Sequence, residues 1–119
     1  MSVRIFSHGE KRELAGQIFR AVSLDRVDFS GADLRGARFE TVSLRGCDLR
    51  HADLRGAHFV DCDLRGARLD DVVFGDNRFD GSWFAGVSGL AVEQIRRIFR
   101  CGGLFVTVGE PPTAGVGDA

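Results

Sequence analysis

The chain has 119 residues, with 16 basic and 17 acidic side chains and 44% hydrophobic residues. That length fits a single domain, and the near-neutral balance lacks the clustered basic face that direct nucleic-acid binding requires. No apolar run approaches the roughly 18 residues of a membrane span, and the start Met-Ser-Val-Arg-Ile-Phe-Ser-His lacks a signal-peptide core. A cytoplasmic protein is expected.

At the N-terminus, Ser7-His8-Gly9-Glu10 matches a capping box, with Glu three residues after Ser. Glu13, Leu14 and Ala15 continue a helical reading, and Gly16 is a plausible stop. A short helix over about 8–15 is expected, lying on whatever follows. The competing reading is an irregular first coil, because Leu14 and Phe19 are in phase with the repeat described next. Arg12 and Gln17 would then fill small inward positions and are too large for them, which favours the helix.

Every fifth residue from Leu24 onward is Leu or Phe. The row is Leu24, Phe29, Leu34, Phe39, Leu44, Leu49, Leu54, Phe59, Leu64, Leu69, Phe74, Phe79 and Phe84. Two residues before each stands a small or β-branched one, from Val22, Val27, Ala32 and Ala37 through Cys47 and Cys62 to Asn77 and Ser82. A period of five matches neither the 3.6 of a helix nor the 2.0 of a strand. It fits a chain that turns a corner every five residues and points one large and one small side chain inward. Glycine recurs two after the centre, at Gly31, Gly36, Gly46, Gly56, Gly66, Gly81 and Gly86, where a corner needs permissive backbone. Ala32-Asp-Leu-Arg-Gly-Ala-Arg-Phe39 returns 20 residues later as Ala52-Asp-Leu-Arg-Gly-Ala-His-Phe59, so four sides close one coil. The 13 units make about three coils, stacked so that each buries its neighbour's centre residues. Asn77 is too polar for its inward slot and needs a hydrogen-bond partner there.

The units Ala32-Asp33-Leu34-Arg35-Gly36 and Ala52-Asp53-Leu54-Arg55-Gly56 resemble the A(D/N)LXX unit of the pentapeptide-repeat family. The resemblance covers 65 of the 119 residues and implies an all-β solenoid, a right-handed quadrilateral β-helix. It also implies an interaction or scaffold role with an unspecified protein partner, and no catalysis. Some family members mimic DNA and bind DNA gyrase or another type II topoisomerase, which gives the alternative function. Against that alternative, Val22–Gly86 carries 12 acidic side chains and nine arginines, a net charge of −3. Duplex DNA carries one charge per about 1.7 Å, far denser than this. Asp61, Asp63, Asp70, Asp71, Asp76 and Asp80 keep an acidic C-terminal end in view, diluted by Arg65, Arg68 and Arg78.

Beyond the repeat, Leu90 to Cys101 has helical spacing, and Cys101-Gly102-Gly103 ends it. Val92, Ile95, Ile98 and Phe99 share one face, expected to lid the last coil, while Glu93, Arg96, Arg97 and Arg100 take the other. Leu104-Phe105-Val106-Thr107-Val108 reads as a strand more apolar than a lone exposed strand should be. It either packs under the helix or pairs with another chain. The family resemblance implies dimerisation through C-terminal elements, so Ile98, Leu104, Phe105, Val106 and Val108 form a candidate homodimer interface. The chain divides into an N-terminal cap (1–21), the β-helix (22–86), a cap helix plus strand (87–109) and a loose tail (110–119).

No cofactor, metal or catalytic residue is expected. Cys47 and Cys62 stand in inward slots as core fillers, and the three cysteines lack metal-ligand spacing, so free thiols are expected. His51 and His58 face outward, away from both thiols. The glycines are single, at five-residue steps, and form no phosphate-cradling loop. Residues 20 apart stack, which puts Arg35 above Arg55, Arg45 above Arg65 and Asp33 above Asp53, in alternating charged columns.

Overall fold

The computed structural model describes residues 13–105. Parallel backbone pairing recurs at a spacing of 20 residues on all four sides. Glu13, Asp33, Asp53 and Val73 form one ladder, and Ser23, Ser43, Asp63 and Trp83 another. Asp28, Asp48, Arg68 and Ser88 form a third. The fourth side holds three short strands in the order β1 (Ile18–Arg20), β2 (Arg38–Glu40) and β3 (His58–Val60), with Phe19 opposite Phe39 and Phe39 opposite Phe59. Paired positions in these four ladders lie 20 residues apart, and the ladders follow at successive five-residue steps.

The reason for the period lies in the corners. The residue two after each centre adopts positive φ whether or not it is glycine: Gly36 at 69°, His51 at 66°, Asp71 at 59°. That left-handed step turns the chain between sides, and the next small residue closes the bend through an amide bonded three residues back, as Ala37 does to the Leu34 carbonyl at 3.0 Å. Glycine takes this step at little cost, and Asp or His takes it at some.

The centre row forms the core. All of its members are buried except Leu24 and Phe74, which are partly buried and pack against it. Phe39 and Phe59 stack with ring centroids 4.7 Å apart and planes 2° apart, and Phe19 continues the stack below at 4.8 Å. Such aligned rings are one sheet spacing apart because the backbone ladder holds them there. Asn77 sits in its slot fully hydrogen-bonded: its Nδ2 donates to the Leu54 and Ala57 carbonyls at 2.6 and 2.9 Å, and its Oδ1 accepts from the Gly75 amide at 2.8 Å.

The N-terminal expectation needs correction. Glu13 to Ala15 are not helical: Glu13 bridges Asp33, and the Leu14 amide donates to the Asp33 carbonyl at 2.8 Å. The coil therefore starts at least nine residues before Val22. Gln17 fits because it is exposed, so the first coil imposes no size limit at that slot. Residues 8–12 of the expected helix lie outside the described residues.

At the other end, helix α1 spans Val92–Arg100. After it the chain rejoins the coil, where the Phe79 and Gly81 amides donate to the Cys101 and Gly102 carbonyls at 2.8 and 3.1 Å. Leu104 pairs with Trp83, its amide donates to the Ser82 carbonyl at 2.8 Å, and the Phe84 amide donates to the Leu104 carbonyl at 2.8 Å. The expected apolar face is only partly covered. Ile98 is fully buried, whereas Val92 and Phe99 are 64% and 61% exposed. The helix is rotated so that Gln94, Ile98 and Cys101 meet the coil. Gln94 Nε2 donates to the Val72 carbonyl, and Gly103 fits only because it has no Cβ to strike Ile98.

Of the residues expected at a homodimer interface, three lie among the described residues. Ile98 is spent on this chain's own core. Leu104 pairs through its backbone with Trp83 and is half-buried, and Phe105 packs against Phe84 and Phe99 at centroid distances of 5.7 and 5.8 Å. Val106 and Val108 lie outside the described residues.

Candidate interaction surface

With the two inward residues of each unit committed to the core, the outward ones form the surface. Their dominant arrangement is a pair within one unit. Arg35 donates through Nε and Nη2 to both oxygens of Asp33 at 2.8 Å each, and its own amide also donates to Asp33 Oδ1. Arg50 with Asp48, Arg55 with Asp53 and Arg65 with Asp63 repeat this three-bond pattern. Arg78 and Asp80 form a reversed, single-bond version at 2.8 Å.

The self-pairing of this charged surface lies within each unit as well as between coils. The signal was present: in extended backbone, residues two apart point the same way, so Asp-Leu-Arg places carboxylate and guanidinium on one face. The expected stacking also exists, since Asp33 pairs in register with Asp53. Each carboxylate in that column is neutralised by its own arginine. The Arg50 and Arg55 guanidiniums hold the Asp48 and Asp53 carboxyls below the usual carboxylate range. The paired arginines move the opposite way, raised by hydrogen bonds to their aspartates.

Other contacts tie coils together. Arg20 Nε reaches Glu40 at 2.7 Å, and Arg45 lies between Asp25 and Asp63 at 3.6 and 3.9 Å. Burial raises the Asp25 carboxyl, but the Ser43 hydroxyl, the Arg45 amide and the Arg45 charge together bring it below normal. Arg65 also lies over the Trp83 ring, 5.1 Å from its centroid. At the acidic end, Asp63 and Asp80 are paired with arginines, and Asp71 faces His51 at 3.7 Å. Asp61, Asp70 and Asp76 have no ion pair among the described residues.

Cys47 and Cys62 are buried, with thiols directed to the Leu24 and Phe39 carbonyls at 2.9 and 3.2 Å. Burial pushes their thiols up to about 12 and about 11. Among the described residues no group of His, Cys, Asp and Glu is arranged to hold a metal ion, and no helix is long and apolar enough to cross a membrane.

A family model for pentapeptide repeats matches residues 14–46, 23–59 and 37–76, more than half of the chain. This chain is a pentapeptide-repeat protein. Among solved structures it is similar to a pentapeptide repeat protein from the thylakoid lumen of Arabidopsis thaliana, with 28% identity, 83% of each chain covered and a TM-score of 0.50. It is also similar in fold to QnrB1, a plasmid-mediated fluoroquinolone resistance protein, with 15% identity over 68% of this chain and 62% of that one, at a TM-score of 0.46. No curated protein matches the chain.

Proposed function

We propose that this pentapeptide-repeat protein is a non-enzymatic binding module of the cytoplasm, a right-handed quadrilateral rod that recognises a protein partner through its ordered Asp–Arg face. The observation that carries this reading is the bidentate pairing of Asp33 with Arg35 directly below Asp53 with Arg55. A guanidinium has five N–H donors, and a bidentate pair uses two. The remaining donors point outward from side chains already held still, so a partner meets them with less ordering cost. The array is close to neutral, which suits a polar protein surface.

The same pairing weighs against DNA mimicry of a type II topoisomerase. A mimic needs carboxylates that present uncompensated charge at the density of duplex phosphate. Here Asp33, Asp48, Asp53 and Asp63 each carry their own arginine.

Two experiments test the reading. Affinity capture from the native host compares the wild-type chain with a variant in which Asp33/Arg35 and Asp53/Arg55 are exchanged within each pair. Net charge and pairing are kept, but the donor pattern is inverted. A partner that binds the wild type and is lost with the variant supports the proposal, and equal capture by both refutes it. In a gyrase supercoiling assay with and without a quinolone, no effect is expected at micromolar protein, and protection or inhibition would establish mimicry instead.

A further inference from the structure

The place where helix α1 interrupts the coil leaves one side of the rod unfinished. In each turn, the amide of a centre residue and the amide two residues on donate to carbonyls 19 residues later. On this side Leu34 donates to Asp53, Gly36 to Arg55, Leu54 to Val73 and Gly56 to Gly75. The next members of the series are the amides of Phe74 and Asp76. Their acceptors would come from a further rung, and α1 stands in its place. Neither amide has a hydrogen-bond partner among the described residues. The third group on this edge, the Val72 carbonyl, is satisfied by a substitute, the Gln94 side chain at 3.1 Å.

A cleft of about 360 Å³ opens at this edge, lined by Phe74, Glu93, Gln94, Arg97, Arg100 and Cys101. Arg97 and Arg100 are exposed and have no ion pair among the described residues, unlike the bidentate arginines of the coil. The one carboxylate in the lining, Glu93, lies 3.5 Å from Arg96. The edge thus combines two uncommitted guanidiniums, an unsatisfied main-chain donor and an aromatic floor, set against the carboxylates of Glu93, which faces Arg96, and of Asp76 beside the edge.

We propose that this cleft binds a small organic anion. Its carboxylate or phosphate is held by Arg97, Arg100 and the Phe74 amide, with the neighbouring Asp76 amide within the same unpaired edge, and its apolar body rests on Phe74. The volume is at the small end of ligand pockets, which favours a compact molecule over a polypeptide. Charge-assisted bonds from guanidinium to oxyanion supply the orientation. This site is independent of the Asp–Arg face and survives if that reading fails.

The test is a titration of isotope-labelled protein followed by amide and arginine Nε–H resonances, with benzoate as the carboxylate probe and phenyl phosphate as the phosphate probe. The expected result with at least one probe is saturable shifts confined to Phe74, Asp76, Arg97 and Arg100. The stronger probe identifies the anion class. In Arg97→Gln/Arg100→Gln, affinity drops by about tenfold or more, since each arginine supplies a charged hydrogen bond. Glutamine keeps helix propensity at these exposed positions, so the variant folds, as circular dichroism will verify. Arg68→Gln, on another side of the rod, leaves binding unchanged. Absence of saturation with both probes, shifts spread over all exposed arginines, or unchanged affinity in the double variant would each overturn the proposal.

Discussion

The side-chain amide of Asn77 donates to the carbonyl of Leu54 at 2.6 Å, and the hydroxyl of Ser82 does the same to Phe59 at 2.7 Å. Cys47 reaches Leu24 and Cys62 reaches Phe39 by the same vector, 23 residues back. The small inward slot therefore points its side chain at the carbonyl of a centre residue in the preceding coil. Apolar residues ignore that acceptor, and small polar residues use it. This explains why the slot row tolerates Cys, Asn and Ser inside a core of Leu and Phe.

Asn77→Ala removes three hydrogen bonds at a site only 6% exposed and should destabilise the protein by about 1–3 kcal/mol. Asn77→Leu should cost more, because it adds overpacking to the same loss. Urea unfolding midpoints measure both. A cost below about 0.5 kcal/mol for Asn77→Ala would mean the slot does not depend on its polar contacts.

Leu54 and Arg55 are adjacent and should respond in opposite ways. Leu54 is 1% exposed between the stacked coils, so Leu54→Lys places an unpaired charge in the core and should abolish folding. Arg55 is an exposed partner of Asp53, and solvent screening limits such pairs, so Arg55→Ala should change stability by at most about 1 kcal/mol. Circular dichroism and thermal melts distinguish them. A folded Leu54→Lys protein would show that the centre row does not form the core.

The centre row, the slot row and the 20-residue turn were legible in the sequence because a packed interior rejects departures at fixed intervals. What escaped was set by contacts that leave no periodic trace. Gln17 looked too large for its slot, yet it is exposed and the coil runs through it. Helical spacing placed Val92, Ile95, Ile98 and Phe99 on one stripe, but the choice of Ile98 as the buried residue depends on Gln94 meeting Val72 and on Gly103 making room. The pairing of Asp33 with Arg35 was readable from its two-residue spacing. The unfinished edge at Phe74 was not, because it depends on where the helix replaces a rung.

Acid should weaken the rod in a defined window. Asp48 and Asp53 have folded values below the ordinary 3.8, chiefly through hydrogen bonds from Arg50 and Arg55. A depressed carboxylate contributes stability that is complete above its unfolded value and is lost as pH falls through the folded one. Thermal midpoints should therefore be level from neutral pH to about 5 and drop below about 4. Asp48→Asn/Asp53→Asn should lower the midpoint at neutral pH and flatten the acid decline. An unaltered acid decline in that variant would assign it to other carboxylates.

The thiols provide a test of core rigidity. The thiolate is the species that alkylates, and burial pushes Cys47 and Cys62 up to about 12 and about 11 from an ordinary 9.0. A thiol raised in the folded state favours folding fully below pH 9 and loses that contribution as pH rises toward the folded values. At pH 8 both are protonated as well as shielded, so they should react only when the coil opens. Cys101, half-buried at the end of α1, should react first. Iodoacetamide with mass spectrometry should give a single fast adduct on Cys101 in native protein and three in urea. Labelling of Cys47 or Cys62 at the Cys101 rate would show that the coils open readily. Cys62→Ser should fold nearly as well as the wild type, because the Ser82 hydroxyl in the next slot of that column already donates to the Phe59 carbonyl, as the Cys62 thiol does to Phe39.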